Sequence, residues 1–68
     1  MNSAEAHERL MENQEFWEMF FPLFRDEKTV REFAAITGLS EERIRRARFD
    51  YLHKKFAPHL HEGNGTIN

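Results

Sequence analysis

Gly38 constrains this chain more than any other residue. It sits between two stretches of helical periodicity, with Ala34 four positions before it and Ile44 six positions after it. Glycine enters the left-handed conformation that ends many helices without the penalty other residues carry. Upstream, Thr29 with Glu32 three residues on has the form of a capping box, and Val30, Phe33, Ala34 and Ile36 follow at helical spacing. Arg25 to Lys28 reads as a polar connector before that helix. Downstream, Ser40 is an N-cap, and Glu41 and Glu42 favour the positive end of the next helix. Ile44, Ala47, Tyr51 and Leu52 form its inward stripe, Phe56 lies at the edge, and Pro58 ends it.

Two helices joined by so short a turn cross closely. The crossing requires a small residue in the first helix and an apolar residue in the second that faces back. Ala34 and Ile44 meet those requirements, and Phe33, Leu39 and Ala47 fill the supporting apolar places. This is the pattern of a helix-turn-helix, which sets its second helix in the major groove of DNA. An ordinary helical hairpin in a small bundle uses the same residues for packing alone.

The N-terminal segment is strongly amphipathic. At 100° per residue, Ala6, Leu10, Phe16, Trp17, Phe20, Phe21 and Phe24 fall within an arc of roughly 140°. Glu5, Glu8, Glu12, Glu15 and Glu18 take the other side. The pattern predicts one helix that starts after Ser3 and runs to about Phe21 or Phe24, kinked or ended near Phe21 because Pro22 restricts the residue before it. Asn13 offers an alternative, the cap of a separate second helix. Aromatic stripes of this kind are most often core. This one is wide, so Phe16, Trp17, Phe20, Phe21 and Phe24 are also candidates for a partner or dimer interface.

The expectation is therefore an all-α fold, three main helices in a single helix-turn-helix domain over residues 1–58, with a flexible tail at 59–68. Sixty-eight residues bury a modest core, and the absence of cysteine leaves stability to apolar packing. No apolar run is long enough to span a membrane, and the acidic start lacks a signal-peptide core; a cytoplasmic location is the default expectation. The histidines His53, His59 and His61 lack metal-ligand spacing. No nucleophile–base pair and no phosphate-cradling glycine loop occurs, so neither an enzyme nor a cofactor is expected.

The net charge of −2 is unhelpful for nucleic-acid binding, but its distribution is not. Residues 1–28 hold seven acids and three bases; from Arg43 to Lys55 there are six bases against Asp50 alone. The outward face of the last helix carries Glu42, Arg46, Phe49 and His53 within about 60° of one another, with Arg43 and Arg45 flanking. Arginine grips guanine or phosphate through its fork, glutamate accepts from cytosine, and phenylalanine meets a thymine methyl. The candidate DNA-binding set is Ser40, Glu42, Arg43, Arg45, Arg46, Arg48 and Phe49. A solvated basic helix with Glu42–Arg46 as a surface pair is the plainer account of the same charges.

Residues 29–56 also resemble a known family. Thr29-Val30, Glu32-Phe33-Ala34, then Gly38-Leu39-Ser40 with Arg43-Ile44-Arg45, then Leu52 with Lys54-Lys55-Phe56 follow, without a gap, the motifs of the fourth conserved region of bacterial sigma factors. The resemblance implies a promoter-reading helix-turn-helix, with Glu42 and Arg46 facing bases and Arg43 and Arg45 near the backbone or base edges. Glu41 departs from the family, whose primary members often carry arginine there. No segment resembles the sigma region that melts promoter DNA, so the likeness implies a stand-alone regulator. Double-stranded DNA is the expected partner, RNA polymerase a further candidate, and a homodimer a candidate assembly. From other classes come a module that binds and inhibits polymerase through its aromatic helix, and a phage DNA-packaging subunit.

Overall fold

The structure, a computed structural model, describes residues 3–57, and all of its regular structure is helical: α1 (Ser3–Met11), α2 (Gln14–Phe24), α3 (Glu27–Thr37) and α4 (Glu41–Phe56). The expected all-α fold is present, but with four helices rather than three main ones. The expected ending at Pro58 and the tail at 59–68 lie outside the described residues.

The single N-terminal helix is replaced by two. Asn13 adopts an extended conformation and its Oδ1 accepts the Phe16 amide at 3.0 Å, so the alternative cap is the one used. The break brings Met11 inside, at 3% exposure, although it lies off the apolar arc of a continuous helix. Trp17 fixes the elbow: its indole Nε1 donates to the Met11 carbonyl at 2.8 Å, satisfying one of the carbonyls that a helix end leaves open.

Pro22 does not end α2 at Phe21. The helix continues to Phe24, and Arg25 at its C-terminus keeps helical angles. Pro22 has no amide to donate to the Glu18 carbonyl one turn back, and the helix runs on for only two residues, Leu23 and Phe24. At the next helix the cap moves upstream from Thr29. Asp26 is extended and accepts the Lys28 amide at 3.0 Å, while Thr29 donates its backbone amide to the Asp26 carbonyl at 3.0 Å. Aspartate is the stronger N-cap, and the earlier start places Glu27 in the first turn, where the helix dipole favours it. The connector shrinks to Arg25 and Asp26.

Gly38 and Ser40 behave as expected. Gly38 has φ 81° and donates to the Ala34 carbonyl at 2.8 Å; Ser40 accepts the Arg43 amide at 3.0 Å. Thr37 tightens the turn, donating to the Phe33 carbonyl at 2.7 Å and accepting the Leu39 amide at 3.2 Å. The core comprises Met11, Trp17, Phe24, Val30, Ile44, Ala47 and Tyr51, with Phe16, Phe21, Phe33, Ala34, Leu39 and Leu52 packed around it. Helices α2, α3 and α4 pack pairwise, and α1 lies against α2 and α3.

Rings dominate the centre. Trp17 meets Phe16 edge-on at 5.3 Å, Phe24 at 5.2 Å and Tyr51 in a stack at 6.1 Å; Phe33 meets Phe24 edge-on at 5.1 Å. This settles most of the aromatic stripe as core. Trp17 and Phe24 are interior, Phe16 and Phe21 half-buried, and only Phe20 of the five is exposed, at 38%. The most exposed apolar side chains of α2 are instead Met19 and Leu23, at 69% and 57%.

Candidate nucleic-acid interface

Helix α4 turns Ile44, Ala47 and Tyr51 into the core, with Leu52 half-buried beside them. By helical angle the opposite side holds Glu42, Arg46, Phe49, His53 and Phe56. Glu42 and Arg46 are exposed, Phe49 is 59% exposed and Phe56 71%. Phe56 therefore stands outside rather than at the edge of the core. Phe49 and His53, one turn apart, stack at 5.1 Å, so the ring is partly organised even though it faces water. Glu42, Arg46 and Phe49 thus share the outward face of α4, and Ser40 caps its start.

The other three arginines of the candidate set are engaged within the fold. Arg43 reaches α1, its Nε donating to Glu8 Oε1 at 2.8 Å, with a second nitrogen 3.7 Å from Glu12. Arg45 donates to Glu27 at 3.0 Å and to Glu41, one turn back, at 2.9 Å. Arg48 donates to the Phe24 carbonyl at 2.8 Å and pairs with Glu27 at 3.0 Å. Glu27 therefore holds α4 through two guanidiniums, and Arg48 also satisfies an open carbonyl at the end of α2. Glu41, the departure from the sigma pattern, is a partner of Arg45.

The electrostatics follow these pairs. Hydrogen bonds from Arg45 and then Arg48 hold the Glu27 carboxyl below its ordinary value, and bonds to Glu27 and Glu41 raise Arg45. On α2, a hydrogen bond from Lys55 lowers Glu18, and the same pair raises Lys55, whose Nζ lies 2.8 Å from Glu18 and 5.8 Å from the Tyr51 ring centre. Among the described residues Arg46 has no ion pair of this kind. It helps to line a groove of about 610 Å3 between the α1–α2 elbow and α4, floored by Trp17 and Tyr51 and bordered by Arg43, Asp50 and Lys54.

Sequence reasoning missed the acidic partners Glu8, Glu12, Glu18 and Glu27. Glu41–Arg45 is legible from its i, i+4 spacing; the others join residues 18 to 37 positions apart and carry no local signal. Among the described residues no cluster of His, Cys, Asp or Glu could hold a metal ion, and no helix is long and apolar enough to cross a membrane. No family model, curated protein or solved structure matches the chain, and the likeness to the sigma region rests on residues 29–56 themselves.

Proposed function

We propose that this chain is a small DNA-binding transcription regulator that sets α4 in the major groove through a helix-turn-helix formed by α3, Gly38 to Ser40, and α4. The observation that carries the proposal is the outward face of α4. Glu42, Arg46 and Phe49 are exposed on the helix that follows a left-handed glycine turn, and the core uses none of them. Ile44 is in the core and Ala34 packs against that core, which supports their use as the apolar and small residues of a close crossing. Arg46 is the base-reading arginine in this account. The sigma-like pattern of residues 29–56 adds RNA polymerase as a second partner of the same regulator.

Selection from a random duplex pool, followed by affinity measurement, tests the reading. The parent is expected to enrich a short motif. Arg46→Ala is expected to keep the parent's melting temperature and to lose preference at one base position, at about 1–3 kcal/mol. A folded parent that enriches no motif and binds no duplex at low salt defeats the proposal.

A second reading has its own support. Arg43, Arg45 and Arg48 already have carboxylate partners, and Met19 and Leu23 on α2 are exposed. These suit a protein-interaction module that acts on polymerase or another regulator. Recovery of polymerase from host lysate that survives nuclease favours this reading; recovery lost with nuclease favours DNA.

A further inference from the structure

Arg43 belongs to the first turn of α4, beside the outward face, and borders the same groove as Arg46. Its guanidinium is nevertheless turned to α1 and the break that follows it, where Glu8 lies at 2.8 Å and Glu12 at 3.7 Å. Two carboxylates on one guanidinium exceed what neutralisation needs. Both carboxylates are accessible, with Glu8 49% and Glu12 77% exposed, so water and salt weaken their hold.

Helix α1 is lightly attached. Its nine residues are too few for a helix stable alone. Its one buried side chain, Met11, is the last of the helix, next to the break at Glu12 and Asn13. His7 Nδ1, also in α1, is the one buried side-chain nitrogen or oxygen among the described residues without a hydrogen-bond partner. The helix is thus buried at its C-terminal end and tied to α4 midway along its length by the Glu8–Arg43 pair.

We propose that α1 is an acidic clamp on Arg43, closed in the free protein and opened when a DNA phosphate takes over the guanidinium. The inference rests on the DNA-binding reading above. Each phosphate contact by Arg43 displaces the bonds to Glu8 and Glu12, so closure of the clamp lowers affinity for every sequence alike. It also places two carboxylates near the incoming backbone, which reduces the charge α4 presents.

The test compares three full-length chains on a duplex of mixed sequence at two salt concentrations: the parent, Glu8→Gln/Glu12→Gln, and the charge-matched control Glu15→Gln/Glu32→Gln. Glu15 and Glu32 are exposed and make no ion pair with α4, so the control carries the same change in net charge without touching the clamp. The clamp variant is expected to bind roughly two- to fivefold more tightly than the control, the scale of a surface ion pair. Because salt weakens the exposed Arg43–Glu8 pair in the parent, the advantage of the clamp variant is expected to shrink at the higher salt concentration. In the parent, amide hydrogen exchange along α1 rises when the duplex is added. Equal affinities for the two double variants, or α1 exchange unchanged by DNA, overturn the clamp and leave the DNA reading standing. A parent and clamp variant that both fail to bind any duplex overturn the DNA reading itself.

Discussion

At the scale of single residues, Gly38 offers the cleanest separation of backbone from packing. A Cβ built on it meets no atom within 4 Å, so room is not the issue there. The cost of a side chain comes from φ 81° alone. Gly38→Ala is therefore expected to lose about 1–2 kcal/mol, the penalty of left-handed backbone for a residue with a Cβ. In a domain this small that corresponds to a fall in melting temperature of about 4–8 °C for each kcal/mol. A variant that melts with the parent would show that the position does not require positive φ. The role of Gly38 was readable because a left-handed turn between two periodic segments has few other solutions. Asn13 competed with an unbroken amphipathic arc, and Asp26 was hidden in a segment that reads as a polar connector because the Thr29–Glu32 pair offers a cap just downstream. Met11 held the missing clue: a large apolar residue off the arc needs a change of direction to be buried.

At the scale of elements, α4 is tied to the body along its flanks. Glu27 takes Arg45 and Arg48, and Glu18 takes Lys55. Both carboxyls are held below the ordinary value of 4.5 by these hydrogen bonds. Their contribution to stability is complete above that value and is lost as the pH falls through their lower folded values. Lys55, raised above 10.5, contributes fully below that value and loses its share as the pH rises through its folded one. Melting temperature is thus expected to hold through neutral pH and to decline at acid pH, with a shallower acid decline in Glu18→Gln/Glu27→Gln. An identical acid decline in parent and variant would assign acid sensitivity to other groups. The basic run of α4 was plain in the sequence, but its use was not. A run of arginines looks the same whether it faces phosphate or a neighbouring helix, and the deciding partners are far away in the chain.

At the scale of the whole molecule, the aromatic stripe serves first as interior. Trp17 and Phe24 are closed in by Phe16, Phe33 and Tyr51, so they cannot meet another subunit while the fold is intact. The exposed apolar side chains left on α2 and α3 are Met19, Phe20, Leu23 and Ile36. A stable dimer buries roughly 800 Å2 per partner, and with Trp17 and Phe24 interior the stripe has less apolar surface to offer one. The free chain is expected to sediment as a monomer at micromolar concentration. A dimer that persists there, and that Met19→Lys dissolves, would restore the aromatic helix as an assembly surface. The helical class and the core positions of α4 were legible because helical periodicity records burial directly. The division of the aromatics between inside and outside was not, because the four phenylalanines and Trp17 of the stripe all fall on one arc, which does not separate them.

The indole bond to Met11 has a consequence beyond packing. Trp17 is the chain's single tryptophan, 2% exposed, with its N–H held by the last residue of α1. Its emission reports from the joint between α1 and the rest of the protein. A movement that frees the Met11 carbonyl shifts that light to the red before the core opens, whereas a movement of α1 that leaves Met11 seated is dark. The protein thus carries an optical gauge that distinguishes a lifted N-terminal helix from an unfastened one.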